Sequence, residues 1–168
     1  MKTKITVHNS MRGHFAYHIH KQMRKNKNIW VVVNDLGFRM WDDIRRDYPD
    51  RFINVGAAEQ AMIGIAVGLA LSGKIPIVYS ITTFLLYRPF ETLRNYLHYE
   101  NIPVKLVGGG RDKDYSHDGF SHWAEEDKEI MKVLHNIQSY WPDDIKEIPG
   151  LVNKIINSDK PWYINLRR

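Results

Sequence analysis

Apolar positions along the chain follow two alternating periods. Short apolar runs have strand length: "IWVVVN" (Ile29–Asn34), "RFINVG" (Arg51–Gly56), "KIPIVYS" (Lys74–Ser80), "IPVKLVG" (Ile102–Gly108), "IQSY" (Ile137–Tyr140) and "PWYINL" (Pro161–Leu166). Several are apolar at odd and even positions alike, as strands covered on both faces of a parallel sheet must be. Between them lie segments with helical spacing, at about Ser10–Lys25, Ala58–Leu71, Pro89–Tyr99, Glu125–Leu134 and Asp144–Asn157. Ser10 suits the first as a cap, and Pro142 and Asp143 of "WPDD" supply start chemistry for the last. The βαβαβα order predicts an α/β fold of three layers, a mostly parallel sheet with helices on both faces. Residues 1–168 read as one domain, because no linker, repeat or low-complexity tract interrupts them. In such sheets ligands bind beyond the carboxyl ends of the strands. The informative loops are therefore "NDLGFRM", "GAAEQ", "SITTFLLYR" and "GGGRDKDYSHDGFSH".

The least polar stretch, "VGAAEQAMIGIAVGLALSGK" (Val55–Lys74), carries an acid, Glu59, near its start. Burying a lone carboxylate is costly unless it is paired or hydrogen-bonded. In the first turn of a helix it would also complement the helix dipole, worth about 0.3–1 kcal/mol. Gly64 and Gly68 lie four apart on one face, with Ala61 a turn earlier. A glycine inside a helix costs about 1 kcal/mol relative to alanine. Two of them predict that a neighbouring helix or a partner subunit packs very close.

Composition narrows the classes. With 43% apolar and 26% charged residues among 168, the chain reads as soluble, globular and large enough to bury a core. No run approaches the ~20 apolar residues of a membrane span, and "MKTKITVHNSMRGH" has no apolar core of signal-peptide type. The absence of cysteine suits a reducing cytoplasm. The net charge of +5 comes from basic residues interleaved with acids, as in "RRDYPDR" and "EEDKEIMK". No nucleic-acid motif accompanies it, so the charge is assigned to solubility or to attraction of anionic small molecules. "GGGRDKD" lacks the G-x-x-x-x-G-K-[ST] phosphate pattern and reads as a flexible strand-exit loop. His14 and His18 share a helix face and His117 and His122 share a loop, but neither pair has a third ligand at metal spacing. No metal site is expected in this chain alone.

Taken in order, "NDLG", "RFINVGAAEQAMIGIAVGLALSGKIPIVYS", "RPFETLRN", "IPVKLVG" and "HDGFSHWAEED" resemble the pyrimidine-binding domain of transketolase-like thiamine diphosphate enzymes. The likeness is greatest to the C-terminal subunit of split transketolases, and it runs over almost the whole chain. It implies the pyrimidine-type thiamine diphosphate-binding fold. It also implies that Glu59 hydrogen-bonds a ring nitrogen of the cofactor's aminopyrimidine and promotes the imino tautomer that activates the thiazolium. By the same resemblance Phe84 stacks on the aminopyrimidine, and Asp35 and Leu36 shape its pocket. His122 binds substrate and handles protons at a developing alkoxide, Asp118 hydrogen-bonds substrate hydroxyls, and Arg12 takes a sugar phosphate.

Three departures qualify the likeness. A phosphate-binding serine of transketolases is Arg39 here, which with Arg12 implies a different grip on the terminal anion. A histidine of the long loop is Gly110. The chain also lacks the Gly-Asp-Gly motif of the diphosphate domain. The resemblance thus implies an obligate partner subunit that holds diphosphate and Mg²⁺, in an α2β2 assembly, with no activity from this chain alone. The reaction implied is transfer of a two-carbon ketol unit between sugars or sugar phosphates. Alternatives are a subunit of a thiamine diphosphate-dependent 2-oxo acid decarboxylase or acyloin synthase, or a non-catalytic partner-binding domain.

Overall fold

A computed structural model describes residues 7–168. The first six residues, on which part of the expectation about a signal peptide falls, lie outside the described residues. Six strands form one sheet: β1 (Ile29–Val33), β2 (Phe52–Asn54), β3 (Ile75–Ile81), β4 (Lys105–Gly109), β5 (Gln138–Tyr140) and β6 (Trp162–Leu166). Their order is β2-β1-β3-β4-β6-β5, and every pairing is parallel. Val33 pairs with Asn54 on one side and Tyr79 on the other, so the carboxyl ends of β1, β2 and β3 are closely aligned. The chain leaves β1 for β2, then crosses back to place β3 on the opposite side of β1. That crossing is the topological switch point at which such sheets bind ligands.

Side-chain alternation builds a core on each face of the sheet. Val31, Val33 and Tyr79 pack with Phe15 and Ile19 of α1 (Met11–Lys25) and with Val152 and Ile155 of α7 (Ile148–Ile156). Val32 and Val78 face the other way, against Met62, Ile63 and Ala66 of α3 (Glu59–Leu71) and Leu97 of a π-helical segment, Leu93–Tyr99. Ser10 caps α1 as expected, accepting a hydrogen bond from the Gly13 amide. Among the described residues no helix is long and apolar enough to cross a membrane.

Four local readings change. α2 (Asp42–Asp47) has no counterpart in the sequence reading, because six residues with one buried apolar position, Ile44, show no measurable period. "SITTFLLYR" is not a loop after β3, since Thr82–Tyr87 forms the helix α4 directly at the strand's end. The cap at the start of the last helical region is Asp144, not Pro142 or Asp143. Asp144 closes a capping box with Glu147 ahead of α7.

The glycine run is the fourth. Gly108 and Gly109 belong to β4, and the Gly110 amide donates to Leu166 O. A Cβ at Gly108 would lie 2.6 Å from Thr82 Oγ1, one at Gly109 would collide with Tyr79 Oη, and one at Gly110 with the Tyr115 ring. Close packing by side chains from elsewhere in the chain therefore explains all three glycines, and the run is neither a cradle nor a flexible exit. We expect Gly109→Ala to cost about 1–3 kcal/mol through overpacking. A urea titration checks this, and an unchanged midpoint would refute it.

Candidate functional site

Two clefts open at the carboxyl end of the sheet on either side of the switch point, and the loop after β1 lines both. The first is bounded by Asn34, Asp35, Leu36, Ala57, Glu59, Phe84 and Arg88, with about 180 Å³ of room. The second is bounded by His8, Ser10, Arg12, Gly13 and the loop's later residues Gly37–Met40, with a similar volume of about 180 Å³.

Glu59 is the first residue of α3 and only 4% exposed. Two groups answer the cost of burying its carboxylate. Asn34 Nδ2 donates to Glu59 Oε1 at 2.6 Å, and Arg88 Nη1 reaches the same oxygen at 2.6 Å. Asn34 sits at the very end of β1 and is itself buried, and its Oδ1 is buried without a partner among the described residues. The loop after it is held in place by Asn54. Asn54 Oδ1 accepts from the Asp35 amide at 2.9 Å and from the Gly56 amide at 3.0 Å, tying the exits of β1 and β2 together. Asp35 itself has φ of 49°, in the left-handed region where Asp is among the few tolerated side chains.

Phe84 is carried by α4. The Arg88 guanidinium carbon lies 3.9 Å from its ring centroid, and the His122 ring packs on it edgewise at 4.9 Å. His122 Nδ1 is 3.0 Å from Ser121 Oγ, and Thr83 Oγ1 donates to Ser121 O at 2.8 Å, pinning that loop to α4. The structure thus brings Asp35, Leu36, Glu59, Phe84 and His122 to one end of the switch point.

Arg12 and Arg39 line the second cleft. Arg12 Nη1 donates to Tyr115 Oη at 2.9 Å, with Tyr79 Oη at 3.4 Å. Arg39 is exposed with φ of 67°, and its carbonyl accepts from His8 Nε2 at 3.0 Å. The departure at Gly110 has a physical reason: the Tyr115 ring lies against its α-carbon and leaves no space for a side chain. Asp118 stands apart from both clefts. It is exposed, and its carboxylate faces His117 Nε2 at 3.2 Å. Among the described residues no group of three His, Asp or Glu is placed to hold a metal ion.

Asn34, Arg88 and Tyr115 carry contacts in the clefts but have no role in the sequence reading. Arg88 lies four residues after Phe84, the spacing that stacks side chains on one helix face. That signal is invisible once residues 82–88 are read as a loop.

The fit to a thiamine-type cofactor rests on the donor set. An aminopyrimidine carries ring-nitrogen acceptors and an exocyclic amino donor on a flat apolar body. The first cleft offers a carboxyl, a buried amide oxygen without a partner, and an aromatic ring. These match in kind, and the residues fit the group.

A parallel sheet with such a cleft at its switch point defines an α/β domain of cofactor-binding type. The family model for the transketolase pyrimidine binding domain matches residues 8–168, and the chain belongs to that family. A putative transketolase C-terminal section of Methanocaldococcus jannaschii is 32% identical over 96% of this chain and 52% of its own length. A 6-deoxy-6-sulfo-D-fructose transketolase subunit of a Clostridium species is 36% identical over 82% of this chain and 44% of its own. Among solved structures, a split-gene transketolase described as an inactive β4 tetramer superposes with a TM-score of 0.83 at 32% identity. It covers 95% of this chain and 51% of that one. The chain thus spans about half the length of these relatives.

Proposed function

We propose that this chain is a single pyrimidine-type domain, residues 1–168, acting as one subunit of a two-subunit, thiamine diphosphate-dependent transketolase-like enzyme. The observation that carries this is the buried Glu59 carboxylate facing the Phe84 ring across one cleft at the switch point. When bound, thiamine diphosphate supplies a carbon nucleophile and an electron sink for cleavage and formation of the carbon–carbon bond next to a ketone. This chain's residues orient it. Asn34 holds the Glu59 carboxyl at the head of α3, where it presents a proton to a pyrimidine ring nitrogen. Phe84, Leu36 and Asp35 form the walls that seat the ring and exclude water. His122, beside Phe84, moves a proton to and from the substrate oxygen that becomes an alkoxide. Arg12 and Arg39 grip a terminal anion of the sugar in the second cleft, while Asp118, apart from both clefts, has no part in this reading. The second cleft's two cations suit a phosphate or a sulfonate. A relative named for a 6-deoxy-6-sulfo sugar is in keeping with the sulfonate.

A diphosphate-domain subunit, in an α2β2 assembly, would supply the Mg²⁺ and diphosphate site. The outer face of α3 suits that contact. Ala61, Gly64, Ile65 and Gly68 are exposed, and among the described residues nothing beyond the helix itself lies within 4 Å of a Cβ added at either glycine. The close packing that the glycines imply is therefore not made among the described residues. A cytoplasmic location fits an enzyme of sugar metabolism.

The test is co-expression with a diphosphate-domain subunit, followed by assay with thiamine diphosphate and Mg²⁺. Ketol transfer from xylulose 5-phosphate or 6-deoxy-6-sulfofructose is expected from the pair, and none above background from the lone chain. Carbon dioxide release from a 2-oxo acid without ketol transfer would replace the reading with a decarboxylase. Failure of both reactions, with no cofactor bound, would leave a non-catalytic domain.

A further inference from the structure

Arg88 makes both of the contacts that a bound pyrimidine would need. Its guanidinium carbon is 3.9 Å from the centroid of the Phe84 ring, a stacking distance, while its Nη1 is 2.6 Å from Glu59 Oε1. One flat group therefore covers the aromatic ring and pairs with the acid at the same time. The likeness is chemical as well as positional. A guanidinium is a planar N–C–N fork that stacks on aromatic rings and bonds carboxylates in its own plane. A 4-aminopyrimidine is likewise flat, stacks on an aromatic ring and meets a carboxyl in its own plane, through the ring nitrogen opposite its amino group. The Arg88 side chain is 49% exposed and Glu59 is its sole ion-pair partner among the described residues, so the acid and the Phe84 ring are what hold it in the cleft. Its Cα closes α4 at the mouth of the same cleft, where a rotamer change carries the head into water.

We propose that Arg88 is an internal stand-in for the cofactor's pyrimidine, occupying its half-site until the cofactor displaces it. This rests on the reading of the first cleft as the pyrimidine site. The physical reason is the acid. A carboxylate that is 4% exposed cannot be left without a cation or a proton in a cleft awaiting its ligand, because an uncompensated buried charge is strongly destabilising. Arg88 supplies the compensation in the empty subunit. It must withdraw for Glu59 to meet a ring nitrogen and for Phe84 to meet the ring, so cofactor entry is an exchange rather than a simple filling. Competition of this kind lowers apparent affinity by the fraction of subunits whose cleft is open.

The experiment titrates thiamine diphosphate, at saturating Mg²⁺, into the assembled two-subunit complex by isothermal calorimetry. It uses wild type, Arg88→Ala and Arg88→Lys. Arg88→Ala is expected to bind roughly tenfold more tightly than wild type, the size of shift expected if about nine-tenths of the clefts are closed at rest. Arg88→Lys keeps the charge but loses the planar fork, and should fall between the two. Guanidinium chloride at about 20 mM should weaken binding to Arg88→Ala competitively and leave wild type nearly unchanged. Equal or weaker binding by both variants would overturn the proposal and mark Arg88 as a ligand of the cofactor instead. A wild-type complex that binds no thiamine diphosphate would remove the pyrimidine reading itself, and the stand-in with it.

Discussion

Glu59→Gln in the assembled enzyme is expected to lower ketol-transfer turnover by roughly 10²–10⁴-fold, the range for removing a positioned proton donor. Glutamine keeps the size of the side chain and one carbonyl oxygen for Asn34 Nδ2, which now bonds Glu59 Oε1 at 2.6 Å. It cannot deliver a proton to a ring nitrogen. Cofactor affinity measured by calorimetry should therefore fall by no more than a few-fold while turnover collapses. That split separates loss of chemistry from loss of fold. Turnover within tenfold of wild type would sink the assignment of Glu59 as the activating acid.

The second large effect falls on stability, at Asp127. This residue begins α6 (Asp127–Val133) and is 2% exposed. Its Oδ2 accepts from Trp141 Nε1 at 2.7 Å, Tyr163 Oη at 2.8 Å and Asn165 Nδ2 at 2.6 Å. Burial first, then the neighbouring Asp127 charge, pushes the Tyr163 phenol well above its ordinary pKa, so Tyr163 remains a donor to Asp127 at neutral pH. Asn165 Nδ2 continues the chain of contacts to Thr82 Oγ1 at 3.3 Å, and Thr82 Oγ1 donates to Gly110 O at 2.7 Å. One carboxylate thus anchors the start of α4, which carries Phe84. Asp127→Ala would leave the buried Tyr163 hydroxyl and the partly buried Trp141 indole N–H without their acceptor, each costing about 1–3 kcal/mol if left unmet, while Asn165 Nδ2 keeps Thr82 Oγ1. Because these costs are not additive, we expect a loss of about 3–5 kcal/mol in unfolding free energy. Asp127→Asn keeps an oxygen acceptor and should lose about half as much. Urea unfolding of both variants checks this, and a loss below about 1 kcal/mol for the alanine variant would show the network to be unimportant.

The strands and long helices were legible because their apolar periods are long enough to count. α4 was not, since "IVYSITTFLLY" runs from strand to helix with no glycine, proline or charged residue to mark the change. Leu85 and Leu86 of that segment pack into the same core as Val32 and Val78. The same blindness hid Arg88. Glu59, Phe84 and His122 could be picked out by resemblance, and the structure places them together. Asn34 could not be assigned a role, since its value lies in an oxygen atom of a residue 25 positions away. Gly108, Gly109 and Gly110 stood out as glycines, but their cause is three side chains: Thr82 and Tyr79 arrive from a distant part of the chain, and Tyr115 folds back from five residues on.

The bare side of α3 also bears on which sequences the chain can sample. With open space around Gly64 and Gly68, alanine at both would strengthen the isolated fold by up to about 2 kcal/mol through helix propensity alone. A selection that scored only folding would drift away from glycine at these positions. The present sequence forgoes that stability, which fits the subunit contact proposed for this face. Glu59 opens this same helix. The acid and the two open glycines therefore ride on one helix, and a change in how that helix is seated moves all three together.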